Sequence, residues 1–114
     1  MMHAPPLPDV ESIVYAAVKD LGGISVFAYD AQAGWPFVSE SVSVQVDVHA
    51  SSKKRTHDRA YQVRQTLLRL PFDPASQVGR VEILSGPQWL PEPDGAPRYV
   101  LRVEVSVRAF RNVK

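Results

Sequence analysis

The strongest constraint on the fold is a run of alternating apolar and polar residues from Val38 to Ala50, which reads VSESVSVQVDVHA. Valine occupies every second position from Val42 to Val48, and polar residues fill the positions between. This period of two predicts a β-strand with one buried face and one polar face. A strand of this kind is typical of an antiparallel sheet that is covered on one side only.

A helix is predicted directly after this strand, over residues 52–69, opened by the sequence SSKKR. Its apolar residues recur at helical spacing: Ala60, Val63, Leu67 and Leu70. An earlier helix is predicted to start at Asp9, whose side chain can cap the free N–H groups, and to stop at Gly22-Gly23. The sequence therefore predicts two amphipathic helices.

Three further strands are predicted from apolar runs at residues 24–29, 78–84 and 98–110. Residues 85–97 contain four prolines and two glycines, which predicts an irregular loop rather than a strand or a tight hairpin turn. Residues 30–37 are predicted to form a loop that carries Trp35. The element order is then α-β-β-α-β-β.

This order predicts an α+β fold with two layers, in which a mostly antiparallel four-stranded sheet carries both helices on one face. A chain of 114 residues fits one domain, residues 1–114, with residues 1–8 as an extended arm rich in proline. Strands of thirteen residues would reach roughly 40 Å at about 3.3 Å per residue. A compact domain of this size has a radius of gyration of roughly 13 Å, so we expect the long strands to project as a hairpin.

Composition argues against most kinds of chemistry. The absence of cysteine excludes disulfides, thiolate catalysis and cysteine-ligated zinc. No P-loop, GxGxxG, GxSxG or HExxH pattern is present, so no enzymatic activity and no cofactor are expected. Asp47, His49, His57 and Asp58 could in principle form a metal site, although two pairs of solvated surface residues are the more ordinary reading. No apolar run approaches the roughly 20 residues of a membrane span, and no secretory signal is apparent, which indicates a cytosolic working compartment.

Charge is unevenly distributed along the chain. Residues 1–50 hold one base and six acids, whereas residues 51–114 hold twelve bases and six acids. This asymmetry favours self-association or stacking of unlike surfaces over nucleic-acid binding. The densest charged feature is a basic run at the start of the second helix, which consists of Lys53, Lys54, Arg55 and Arg59. This run could form a partner interface or simply a solvated helix face. Trp35 and Trp89 could each complete the core or anchor an interface.

The chain resembles the tail terminator proteins of long-tailed phages, and among them those of actinobacterial phages. The resemblance extends from about residue 7 to residue 110. It rests on the strand and helix VDVHASSKKRTHDRAYQVRQTLLRL and on the segment GPQWLPEPDGAPRYVLRVEVSVRAF. It implies a structural virion protein that forms a hexameric ring on the last ring of tail tube protein. Such a ring ends the polymerisation set by the tape measure protein and presents the docking surface for the head-completion (stopper) protein.

This resemblance implies a location in the tail or neck of the virion, assembly in the host cytoplasm, and passage of genomic DNA through the channel without specific binding. It supplies no site residues, so the expected partner interface comes from the residues themselves: Lys53, Lys54, Arg55, Arg59, Trp35, Trp89 and Leu90. Two other functions remain open. One is another head–tail connector, in the neck or at the stopper position. The other is a small non-viral α+β domain that binds nucleic acid through its basic helix.

Overall fold

Two helices and four strands follow one another in the predicted order. The computed structural model describes residues 9–33 and 39–108. Its elements are α1 (Val10–Val18), β1 (Ile24–Ala33), β2 (Ser39–His49), α2 (Lys53–Arg69), β3 (Val78–Trp89) and β4 (Arg98–Arg108). All strand pairs are antiparallel, and the spatial order in the sheet is β1-β2-β4-β3. The α+β class and the four-stranded antiparallel sheet are therefore confirmed.

Both helices begin at the capping residues that the sequence provides. The backbone N–H of Ser12 donates to Asp9 Oδ1 at 3.3 Å, and that of Arg55 donates to Ser52 Oγ at 3.2 Å. These bonds satisfy N–H groups that have no partner within the helix. Helix α1 runs through a 3₁₀ turn, Lys19–Leu21, to Gly22, and α2 ends at Arg69, two residues before Pro71.

The alternating valines form the buried face of the sheet. Val44, Val46 and Val48 are fully buried, as are Leu101 and Val103 on the neighbouring strand. Helices α1 and α2 lie side by side on this face and complete one core with these residues: Val10, Val14, Val18, Ala60, Val63 and Leu67. Burial of this apolar surface, worth about 25 cal/mol per Å², is the main term that stabilises the fold. We call this side of the sheet the covered face and the other side the open face.

The third strand differs from the prediction. It was expected to end at Leu84 and to lead into an irregular loop, but it continues to Trp89. Beyond it, Leu90 N–H donates to Arg98 O and Glu92 N–H donates to Ala96 O, both at 3.0 Å, so β3 and β4 form one long hairpin. Because β3 lies at the edge of the sheet, Pro87 is tolerated there, and the register shifts between Ser85 and Gln88.

The first two strands also differ in length from the prediction. Strand β1 was expected to end at Tyr29 but continues to Ala33, with a β-bulge at Tyr29 that absorbs the break in alternation. Strand β2, predicted over residues 38–50, spans Ser39–His49 and buries the predicted valines. The predicted arm at residues 1–8, Trp35, and the last two residues of the predicted strand 98–110 lie outside the described residues.

The molecule is elongated, as the strand lengths predict. Its principal extents are 52 × 24 × 20 Å, and its radius of gyration is 15.4 Å, which exceeds the roughly 13 Å of a compact domain of this size. His49, the last residue of β2, pairs with Arg98, so the β3–β4 hairpin continues past the end of β2. We call residues 90–97 the hairpin tip.

Candidate interaction surface

The basic run of α2 and the β3–β4 hairpin meet where Lys53 lies over Trp89. Lys53 Nζ is 4.7 Å from the centroid of the Trp89 ring, within the range of a cation–π interaction. The Trp89 ring lies 5.4 Å from that of Tyr99 and packs against the edge of the core. Trp89 therefore joins the start of α2 to the base of the hairpin tip, and its expected role at a partner interface stays a prediction.

An aromatic cluster continues from Trp89 along α2. The rings of His57 and Tyr99 are 5.5 Å apart in an edge-on arrangement, and those of His57 and Tyr61 are 4.7 Å apart. Tyr99 is buried, whereas His57 and Tyr61 are exposed. The sequence did not predict this cluster, although the spacing of four residues between His57 and Tyr61 places them on one side of the helix.

Lys54 and Arg55 are the outward-facing members of the basic run. Lys54, whose side chain is 85 % exposed, contacts Asp58 one turn later at 3.2 Å. Hydrogen bonds from His57 and then Lys54 hold the pKa of the Asp58 carboxyl below its ordinary value. Arg55 is exposed, and its side chain forms no ion pair or hydrogen bond with the described part of the chain. Both bases are exposed, and of the two only Lys54 has a side-chain contact among the described residues.

Arg59 has a different environment from the other three bases. Its Nη1 atom donates to the carbonyl of Gly22 at 3.0 Å and to the carbonyl of His49 at 2.8 Å. It thereby ties the end of α1 and the end of β2 to α2. Gly23, at φ +68°, lies against the same carbonyl of His49, where a Cβ atom would collide. Arg59 is thus part of the folded scaffold, and its expected contact with a partner stays a prediction.

The hairpin tip is fixed to the open face by a polar network. His49 Nε2 lies 3.0 Å from Glu92 Oε1, and Arg98 Nη1 lies 3.3 Å from the same oxygen. Arg98 Nε donates to the carbonyl of Leu90 at 2.7 Å. Asp47, which is only 7 % exposed, completes the network at 3.5 Å from Arg98 Nη1. Leu90, the last expected interface residue, is half-buried within this arrangement.

The sequence placed Asp47 and His49 on the polar face of β2 but gave no indication of their partners, because Glu92 comes from the segment predicted as a loop and the pairing of β2 with the strand that begins at Arg98 was not predicted. In residues 9–33 and 39–108, no group of three or more histidine and carboxylate side chains is placed to hold a metal ion. His57 and Asp58 lie on α2, on the covered side of the sheet, and do not join Asp47 and His49.

An open groove of about 540 Å³ runs along α2 from Asp58 to Arg69, opposite Leu21. Glutamine, threonine and tyrosine side chains line most of it, and it is open to solvent along its length. No family model matches this chain, and neither does any curated protein.

Proposed function

We propose that this chain is a structural virion protein of the tail-terminator type. Copies of it form a ring on the end of the tail tube, end tube polymerisation and provide the docking surface for the head-completion protein. Its partners are further copies of itself, the major tail tube protein and the stopper protein, with the tape measure protein as a further contact. Genomic DNA passes through the ring without specific binding.

The observation that carries this proposal is the surface at one end of the elongated subunit. We call it the docking end, and it consists of the hairpin tip together with the outward-facing Lys54 and Arg55. The tip is fixed by side-chain and backbone hydrogen bonds. Lys54 and Arg55 are exposed at the start of α2, whose first residue, Lys53, lies over Trp89 at the base of the tip. A rigid, charged end on a long subunit suits a protein that stacks between unlike rings.

The alternative of a nucleic-acid-binding helix has less support. Lys53 lies over Trp89, Lys54 contacts Asp58, and Arg59 donates to two backbone carbonyls. Only Arg55 of the four bases lacks a described side-chain contact, whereas phosphate backbones are bound through many free cations. In the described part of the chain, no helix has the length and apolar composition needed to cross a bilayer.

Loss of the protein from a phage that carries its gene tests the proposed function directly. A tail terminator is required both to stop the tube and to join it to the head. We therefore expect tubes of uncontrolled length and separate, DNA-filled heads in electron micrographs. Tails of normal length joined to heads would contradict the proposal.

Reversal of the two outward-facing bases tests the docking end. We expect Lys54→Glu with Arg55→Glu to abolish joining of heads and tails while leaving the unfolding midpoint of the purified protein unchanged, because both side chains are exposed. Lys19→Glu is the matched control, since Lys19 is also an exposed base but lies at the end of α1. Equal virion yields from the double variant and the control would show that Lys54 and Arg55 do not take part in docking. Binding of the wild-type protein to DNA, weakened steeply by salt, would favour the nucleic-acid alternative.

A further inference from the structure

Each edge strand of the sheet has an exposed apolar residue at a bulge. Among the described residues, β1 and β3 each pair with a neighbour on one side only. The register shifts after Ala28 in β1 and after Ile83 in β3, so that Tyr29 and Leu84 are the extra residues. Tyr29 is 52 % exposed and Leu84 is 47 % exposed. A bulge interrupts a strand ladder, so contact with another molecule at this point involves side chains rather than continuous main-chain pairing.

The two bulges lie at the same level of the sheet. One straight row of paired residues crosses all four strands: Ala28, Val44, Val103 and Ile83. Tyr29 directly follows the residue at one end of this row, and Leu84 directly follows the residue at the other end. A copy of the chain shifted sideways along the row therefore brings its Tyr29 close to the level of Leu84.

Strand direction permits this arrangement without inverting the subunit. Because the sheet has four strands and every pairing is antiparallel, β1 and β3 run in opposite directions. A second copy in the same orientation places its β1 antiparallel to the β3 of the first. Its covered face and its open face then continue those of its neighbour, which is the head-to-tail geometry that closes into rings.

Charge distinguishes the two edges. Residues 9–33, which form α1 and β1, hold four acids (Asp9, Glu11, Asp20 and Asp30) and one base. Helix α2 packs against β2, β3 and β4. Of its six bases, Arg59 and Arg69 face Gly22 and Leu21 at the end of α1, so only part of the charge of α2 lies on the β3 side. Lys53, His57 and Arg64 share the side of α2 that faces Trp89 of β3, whereas the charges of β2, β3 and β4 balance. Contact between two β1 edges or two β3 edges brings like charges together, whereas contact between a β1 edge and a β3 edge brings opposite charges together.

We propose that copies of this chain associate head to tail, with the β1 edge of one copy against the β3 edge of the next and Tyr29 beside Leu84. This assignment rests on the proposed function, since a terminator ring requires a lateral contact, and it names the two surfaces that form it. These surfaces are separate from the docking end, which lies at the end of the strands rather than along the edges of the sheet.

Engineered cysteines test the contact, because the natural chain contains none. Tyr29→Cys and Leu84→Cys are prepared as separate proteins, mixed at high concentration and treated with a short bis-maleimide. We expect a cross-linked dimer from the mixture at least tenfold more abundant than from either variant alone. We also expect the double variant, Tyr29→Cys with Leu84→Cys, to give a ladder that ends at a closed ring.

The matched control is Lys54→Cys mixed with Leu84→Cys, since Lys54 is more exposed than Tyr29 but lies on α2. It should give only the background seen with single variants. Equal cross-linking in the control mixture, or no cross-linking in the Tyr29 and Leu84 mixture, would overturn the proposal. Stronger cross-linking of Tyr29→Cys with itself would replace it with a two-fold dimer through β1.

Salt dependence tests the contribution of charge to the same contact. Raising the ionic strength from 0.1 M to 1 M shortens the Debye length from about 10 Å to about 3 Å. We expect the rate of cross-linking in the Tyr29 and Leu84 mixture to fall severalfold, whereas a rate that does not change would refute charge pairing between the edges. The two proposals can fail separately. If the cross-linked ring forms as expected but loss of the gene leaves the tails normal, this inference stands and the proposed function is refuted.

Discussion

The two faces of the sheet are stabilised in different ways, and adjacent residues of β4 show the contrast. Leu101 points to the covered face and is fully buried in the core beneath α1 and α2. Val100 points to the open face and is also buried, at 3 % exposure, yet it lies outside that core. On the open face Val100 lies between Asp47, a member of the polar network, and Gln88. The covered face therefore stabilises the fold through apolar packing, and the open face positions the tip.

The largest expected effect comes from removing apolar volume on the covered face. Leu101→Ala should lower the free energy of unfolding by about 3 kcal/mol, because it leaves a cavity in a fully packed core. Val100→Ala is the matched control from the open face, and it should lower the free energy of unfolding by less than half as much. Urea denaturation of both variants measures the difference. An equal fall in the free energy of unfolding for both variants would show that the two faces do not differ in how they stabilise the fold.

Trp89 lies where the covered face meets the hairpin tip. We expect Trp89→Ala to lower the free energy of unfolding by about 2 kcal/mol, less than for a fully buried tryptophan, because the ring is half-exposed. Trp89→Phe should recover most of the loss by keeping an aromatic ring against Tyr99. If Trp89→Ala instead unfolds at the wild-type urea concentration and fails only in virion assembly, the residue is an interface anchor and not part of the core.

Removal of Asp47 tests the network on the open face. Asp47→Ala leaves Gln45 and Arg98 without their shared carboxylate and should lower the free energy of unfolding by about 1 to 2 kcal/mol. Asp47→Asn keeps an oxygen acceptor in the same place and is the control. Hydrogen exchange should show faster exchange at the N–H groups of Leu90 and Glu92 in the alanine variant. Unchanged exchange at these N–H groups would show that the Asp47 network does not hold the backbone of the hairpin tip.

The smallest effect is expected from the serine pair further along the open face. Ser41 and Ser106 share a hydrogen bond of 3.1 Å between their hydroxyl groups, and Ser106→Ala should lower the free energy of unfolding by about 0.5 kcal/mol. Ser41→Ala should have the same effect, and the double variant should add little to either. A strictly additive double variant would show that the hydroxyl groups act independently.

Periodicity and capping were sufficient to predict the class of fold. The valines of β2 and the helix start at Asp9 needed no information beyond the local sequence. The length of β3 was missed because Gly86, Pro87 and the register shift disguise a strand, and only its position at the edge of the sheet makes Pro87 acceptable. Local sequence does not reveal which edge a strand will occupy.

The candidate site was predicted less completely than the fold. The basic run and Trp89 were identified from the sequence, but their mutual contacts join residues about thirty-six positions apart. The bonds from Arg59 to Gly22 and His49, and the contacts of Glu92 with His49, depend on how three elements pack. A charge pattern alone does not separate a base that is bound within the fold from one that is free. Contacts of this kind follow from tertiary structure.

The fixed hairpin tip has a consequence for the strength of docking. A flexible loop loses conformational entropy when a partner immobilises it, at about 1 to 2 kcal/mol for each backbone residue ordered. In the hairpin tip, the bonds from Leu90 to Arg98 and from Glu92 to Ala96 hold the backbone in place before any partner arrives. In the proposed ring, most of the contact energy at the tip would then remain as affinity, so a small surface on each copy would be enough for tight docking.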